Sequence, residues 1–333
     1  MVTLKDLAKK LNVSVSTISK ALHDNPEIST ETINRVKELA KLYNYQPNKI
    51  AQSLKANKTK TIGVIIPSIL NRFFAQVLFG IEKEARAKGY NIITCMSNEV
   101  LNKEKECIQL LSNGSVDGFL VAVAEETQKK KDFAHFEAAQ FAKIPIVMFD
   151  RVIDDFICDK VIINDFEASK SATLNLLENG KQNIAFISSI DDLNVGKLRK
   201  QGYIDAIKGN PVVKYDPITL TLNSNQEAQS QIAIFLKNNK HIDGVISADN
   251  VSGTILISIA NKLGYSIPKE LSVIGFADEQ ISNLSVPKLA IINQNAEQIG
   301  ENAFSLMLNR LNNKTSPFVT KEVAITFSKQ ESF

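Results

Sequence analysis

The chain holds 333 residues, 44% of them hydrophobic, which is room for about two domains with full cores. It lacks a run of ~18 apolar residues, which excludes a spanning helix, and its amino end lacks the basic-then-apolar layout of a secretory leader. Charge is unevenly spread: residues 1–60 carry 11 Lys+Arg against 5 Asp+Glu, net +6, while the remainder has 28 against 31, net −3. A basic head on a mildly acidic body is what one end meeting nucleic acid requires, although a solvated lysine-rich surface has the same arithmetic.

The first twenty-two residues, MVTLKDLAKKLNVSVSTISKAL, spell two short amphipathic helices joined by a tight turn. Leu4, Leu7, Ala8 and Leu11 fall at helical spacing, as do Ile18, Ala21 and Leu22. Thr3 with Asp6 reads as a capping box, Asn12 tolerates the left-handed turn, and Ser14 caps the second helix. That helix turns Ser16, Thr17, Ser19 and Lys20 outward, short or basic side chains able to approach phosphates and base edges. The pattern is a helix-turn-helix, and it points to DNA. A third helix from Ser29 places Ile33, Val36, Ala40 and Tyr43 on one face, completing a mini-core over residues 1–46.

Residues 47–60 read as a hinge. KIAQSLKA predicts a helix of about two turns, shorter than the ~12–15 residues that make an isolated helix marginal in water. It should form only where Ile50, Ala51 and Leu54 find something to pack against.

From residue 61 short apolar runs alternate with helical patterns: TIGVIIP (61–67), NIITCM (91–96), DGFLVAV (117–123) and PIVMF (145–149). VII (161–163), NIAFIS (183–188), DGVIS (243–247) and LSVIGF (271–276) repeat the rhythm, and 296–312 and KEVAITF (321–327) close the chain. Helical segments are expected at 75–88, 103–112, 130–142, 166–178, 196–208, 224–238 and 251–264. Buried strands alternating with helices predict parallel sheets flanked by helices, and about ten strands suggest two sheets. An α/β enzyme is the obvious rival. However, the chain has no dinucleotide fingerprint, no phosphate-cradling glycine loop and no nucleophile elbow, so no catalytic residue can be nominated. Scattered Cys95, Cys107 and Cys158, with His23, His135 and His241, show no metal-ligand spacing. No cofactor is expected, and the odd cysteine set suits a reducing cytoplasm.

TLKDLAKKLNVSVSTISKAL, STETINRV, YQPNKIAQSL, TIGVIIP, NRFFAQVLFGIEKEARAKGYNI, VDGFLV, PIVMFDR, RKQGYIDAI and IPKELSVIGF, in that order, resemble the lactose/galactose repressor (LacI) family over essentially the whole chain. The resemblance implies a small all-α helix-turn-helix head plus an α/β two-lobed body like periplasmic sugar-binding proteins. It also implies a homodimer on a pseudo-palindromic double-stranded operator and a small-molecule effector between the lobes. The expected lobes are 61–159 with 288–316, and 160–287 with 317–333.

By resemblance Val15, Ser16 and Lys20 face bases. The i,i+4 spacing of Ser16 and Lys20 independently puts them on one face, and lysine can donate to guanine O6 or N7. Thr3, Ser14, Thr17, Ser19, Ser29 and Tyr45 are candidate phosphate donors, with helix capping the simpler role for Ser14 and Ser29. The resemblance adds Asn48, Ile50 and Ala51 of the hinge, with Leu54 as a wedge in the minor groove.

The effector set carried over is Phe73, Phe74, Asp150, Arg199, Asp249 and Asp278. Aromatic faces, an arginine and carboxylates suit a sugar or sugar-derived metabolite. Core packing for Phe73 or Phe74 and a carboxylate partner for Arg199 are the plainer readings. The family's first acidic position after VIGF is Ala277 here, and Asp278 follows it. A non-sugar ligand, a body that only dimerises, or a solute-binding protein are the open alternatives.

Overall fold

The computed structural model describes residues 2–45, 58–211, 213, 215–223 and 227–333. The chain divides into two compact units, Met1–Thr59 and Lys60–Phe333.

In the first unit, helices α1 (Leu4–Leu11), α2 (Val15–Leu22) and α3 (Thr30–Leu42) close on Leu7, Ala8, Ile18, Ala21, Val36 and Ala40. Asn12 takes the left-handed conformation, φ 55°, and ends α1 so that α2 turns back across it. One expectation is corrected. Tyr43 lies outside this core, with its hydroxyl accepting from Lys10 Nζ at 3.0 Å, and Tyr45 packs against the cluster instead. Helix α3 ends at Leu42, so its 3.6-residue period no longer aims Tyr43 inward.

The second unit contains two six-stranded sheets. The first comprises β1 (Thr61–Ile66), β2 (Asn91–Met96), β3 (Gly118–Val121), β4 (Ile146–Phe149), β5 (Asp159–Ile162) and β11 (Thr320–Glu322), ordered β11-β5-β4-β3-β1-β2. The second comprises β6 (Ile184–Ser188), β7 (Ile218–Thr221), β8 (Gly244–Ser247), β9 (Ser272–Phe276), β10 (Ala290–Asn293) and β12 (Thr326–Ser328), ordered β12-β10-β9-β8-β6-β7. Every pairing is parallel except β10 with β12. β1, β3, β4, β6, β8 and β9 are almost wholly buried, as sheets covered on both faces require.

Helices α4 (Arg72–Ala87), α5 (Leu101–Leu111), α6 (Glu125–Lys130), α7 (Ala134–Phe141) and α13 (Ala296–Asn312) belong to the first lobe. Helices α8 (Asp165–Glu178), α9 (Asn194–Lys208), α10 (Ala228–Asn238), α11 (Ser252–Lys262) and the short α12 (Glu279–Ser282) belong to the second. Helices α4 and α13 cross at two glycines. A Cβ on Gly80 would stand 2.1 Å from the Glu297 carbonyl oxygen, and one on Gly300 2.1 Å from that of Val77.

The sheets redraw the expected lobes. β5 stays in the first sheet, β10 belongs to the second, and β11 returns to the first, so the chain crosses between lobes after β5, after β10 and between β11 and β12. KEVAITF is therefore two strands in two sheets rather than one, with Val323 buried between them. The expected helix 130–142 forms only over Ala134–Phe141, and a separate short helix before it, Glu125–Lys130, ends where Lys131 adopts φ 52°. β2 is an edge strand with alternating exposure, not a buried one.

Candidate DNA-reading head and effector cleft

The head's first two helices are set by their caps. Thr3 Oγ1 accepts from the Asp6 amide at 3.3 Å, while the Asp6 carboxylate accepts from the Thr3 hydroxyl at 2.7 Å and the Thr3 amide at 2.8 Å, and these two bonds hold the Asp6 carboxyl below its ordinary range. Ser14 Oγ accepts from the Thr17 amide at 3.0 Å and shares hydrogen bonds with the Ser16 and Thr17 hydroxyls at 2.7 and 2.8 Å. Ser29 caps α3 the same way. Burial of Ile18 and Ala21 fixes the rotation of α2, leaving Val15, Ser16 and Lys20 exposed and Thr17 and Ser19 half-buried. Tyr45 is half-buried, and burial raises its phenol. Asn48, Ile50, Ala51 and Leu54 lie outside the described residues.

In the body, five of the six expected effector residues converge. Phe73, Phe74, Asp150, Arg199 and Asp249 line one cavity of about 50 Å³ between the lobes, together with Asn71, Arg151, Asn250 and Gln294. Phe74 is nearly fully buried in the first-lobe core and meets Phe73 edge-on at 5.2 Å. Phe74 is therefore chiefly a core residue, and its ring lies 5.1 Å from the Arg151 guanidinium. Asp150 sits just past β4 at φ 57°, and burial pushes its carboxyl up to about 7, against the pull of neighbouring Arg151.

Arg199 is the most heavily engaged group. Its Nε donates to Asp165 at 2.6 Å, Nη1 to the Ala248 carbonyl at 2.7 Å and Nη2 to Gln294 at 2.7 Å, over the face of Phe276. Burial raises the Asp165 carboxyl, and Arg199 opposes that shift. Asp249, two residues before the N-cap of α11, accepts from the Val251 and Ser252 amides and from the Ser189 and Ser252 hydroxyls. Arg151 is held by both Glu99 oxygens, at 2.5 and 2.7 Å.

Asp278 departs from expectation, because it does not line this cavity. It caps α12 through the Gln280 and Ile281 amides, and its other oxygen accepts from Arg72 Nε at 2.5 Å. Ala277 turns into the second lobe's own apolar cluster.

Asn71, Arg72, Arg151 and Gln294 escaped the reading of residue types. Asn71 and Arg72 stand directly before Phe73, and Arg151 directly after Asp150, so adjacency was the available signal. Gln294 had none, because β10, which delivers it, is too short to announce itself. The lobes are further joined by Asn250 to Asn71 at 3.2 Å, paired Gln128–Asn194 bonds at 2.8 and 3.0 Å, and Lys129–Asp192 at 2.6 Å. Among the described residues no group of His, Cys, Asp or Glu is arranged to hold a metal, and no helix is long and apolar enough to cross a membrane.

Residues 3–48 match the model of bacterial regulatory proteins of the lacI family, and residues 59–330 match periplasmic binding proteins and the sugar binding domain of the LacI family. The chain is 29% identical over 338 residues to the HTH-type transcriptional repressor PurR of Pectobacterium atrosepticum, covering 100% of this chain and 97% of that one. It is 30% identical to the HTH-type transcriptional regulator RegA of Clostridium saccharobutylicum, covering 94% and 93%. Its fold matches the lac repressor dimer bound to operator and the anti-inducer ONPF, with TM-score 0.87, 19% identity, and 99% and 98% of the two chains covered. The transcriptional regulator CelR–cellobiose complex matches with TM-score 0.72 and 20% identity over both whole chains. With both the head and the two-lobed body matched from end to end, this chain belongs to the LacI family of bacterial regulatory proteins.

Proposed function

We propose that this protein is a cytoplasmic, nucleoid-associated repressor that binds a pseudo-palindromic operator as a homodimer and is controlled by a sugar or sugar-derived metabolite between its lobes. The carrying observation is the rotation of α2, which buries Ile18 and Ala21 and leaves Val15, Ser16 and Lys20 facing outward together. Such a face enters a major groove with Lys20 reaching guanine O6 or N7 and Val15 a thymine methyl. Thr3, Ser14, Thr17, Ser19, Ser29 and Tyr45 then donate to phosphates and set register. Two heads related by a two-fold axis read an inverted repeat. The hinge residues Asn48, Ile50, Ala51 and Leu54 complete the reading, with Leu54 as the minor-groove wedge.

Support for the effector comes from the cleft chemistry and from relatives whose structures hold cellobiose or ribose. The ligand acts by population shift: it changes the lobe arrangement and so biases hinge-helix formation. A coupling of ~1–3 kcal/mol would alter operator affinity about 5–150-fold. Selection of duplexes from a random pool by the full-length protein, repeated with a panel of sugars and phosphosugars, tests both halves. Enrichment of an inverted repeat supports the DNA reading. Failure of every sugar to change either melting temperature or operator retention would return the body to a dimerisation role.

A further inference from the structure

We propose that Glu27 is a specificity-determining residue of the head, acting by holding the ammonium of Lys20 beside the recognition helix so that Lys20 serves a guanine but not a phosphate. The proposal rests on the reading of Lys20 as a base contact.

Glu27 stands in the connection between α2 and α3, and its place there is set by local chemistry. Asn25 Oδ1 accepts from the Glu27 amide at 2.9 Å, and the Asn25 carbonyl accepts from the Ile28 amide at 3.0 Å. Pro26 limits the backbone between them. Ile28 packs against the head's core, so the loop is anchored at the residue after Glu27. From this fixed point the Glu27 carboxylate ion-pairs with Lys20 Nζ. The contact holds the carboxyl of Glu27 below its ordinary range. Neighbouring Asp24 is occupied separately, with both oxygens on Lys37 at 2.6 and 2.8 Å, and does not compete for Lys20.

An ammonium has three N–H donors. One directed at Glu27 leaves two, which match the O6 and N7 acceptors of one guanine. The pair thus pre-organises a flexible side chain for a base edge, lowering the ordering entropy lost on binding. Away from the operator the balance differs. Non-specific affinity comes from neutralised phosphates, and a lysine carrying its own carboxylate adds no net charge there. Glu27 therefore depresses non-specific binding while leaving the specific contact available, which widens the ratio that decides occupancy in a genome.

The test uses full-length protein, the inverted-repeat duplex that the wild type selects, and a random-sequence duplex of equal length. For Glu27→Gln, the random duplex should bind about 3–10-fold tighter at low salt. The log affinity against log salt should steepen by about one contact, a slope change near −0.9, and the specific-to-random ratio should fall at least fivefold. In a Lys20→Ala background the same Glu27 substitution should do nothing. An unchanged slope and ratio in Glu27→Gln, or an undiminished effect without Lys20, would overturn the proposal. If Lys20→Ala leaves operator affinity and guanine preference intact, the base-contact reading fails first, a result separable from the slope measurement.

Discussion

Arg72, the first residue of α4 in one lobe, donates from Nε to Asp278 Oδ2 in the other at 2.5 Å. The bridge is partly sheltered, with side-chain exposures of 32% and 13%, and it sits at the rim of the cleft rather than on open surface. Asp278 carries it because its second oxygen is already fixed as the cap of α12. Asp278, the carboxylate that follows Ala277 in the expected effector set, is thereby a fastening between lobes.

Breaking that fastening should loosen the closed cleft. Asp278→Asn keeps the helix cap, since asparagine caps as well as aspartate, but removes the ionic half of the bridge. We expect a larger radius of gyration by X-ray scattering and a change in operator affinity within about 5–150-fold. Arg72→Gln, which leaves the α12 cap untouched, should change the scattering curve in the same direction. Identical curves for wild type and both single variants would remove the fastening role.

Asp150 makes stability pH-dependent. Burial raises its carboxyl from the ordinary 3.8 to about 7, so between these values the folded chain keeps a proton that the unfolded chain has released. The Asp150 contribution is therefore full below the lower value, declines as pH rises through the interval, and is gone above about 7. Urea midpoints for wild type and Asp150→Asn across this range measure it. The wild type should lose stability relative to the variant as pH climbs, and parallel curves would contradict the burial effect.

Gly80→Ala and Gly300→Ala should each destabilise the body by ~1–3 kcal/mol or more, because the new methyl meets a backbone carbonyl that no side-chain rotation can move. Denaturant melts followed by tryptophan-free signals such as far-ultraviolet circular dichroism would show it, since the chain has no Trp. A midpoint shift under ~0.5 kcal/mol would mean the two helices separate freely.

Leu54→Ala, in the hinge outside the described residues, should weaken operator binding at least tenfold, ~1.4 kcal/mol, with the dimer intact by sedimentation. Binding to random duplex should change little, because that term is carried by phosphates. Equal operator affinity would eliminate the wedge.

Ser14→Ala tests the scaffold beneath the reading helix. It removes the hydroxyl that accepts from the Thr17 amide, and loss of such a cap costs ~0.5–2 kcal/mol. The head should melt earlier while the body transition stays in place. Coincident wild-type and variant melts would mean that the Ser14 cap adds nothing to the stability of the head.

Much of this molecule could be read locally. Thr3, Asn12, Ser14 and Ser29 mark their helix boundaries through bonds to residues two to four positions away, and the buried strands of the body declare themselves as unbroken apolar runs. Phe73, Asp150 and Arg199 could be placed at one cleft only through the family resemblance, since they come from segments some 50 to 125 residues apart. The short β7 and β10 went unread because ITLT and AIIN offer four residues each, too few for a pattern to stand out.

What the chain alone determined, then, was the order and kind of its elements, because capping, turn chemistry and apolar period act over a few residues. What only the tertiary structure decided was membership: which sheet takes β5, β10 and β11, whether Tyr43 or Tyr45 closes the head, and whether Asp278 faces the cavity or Arg72. The place of β11 and the choice made by Asp278 depend on partners more than a hundred residues away, and the closing of the head on where one helix stops. An amino acid's type limits the bonds it can form, and the packed chain chooses among them.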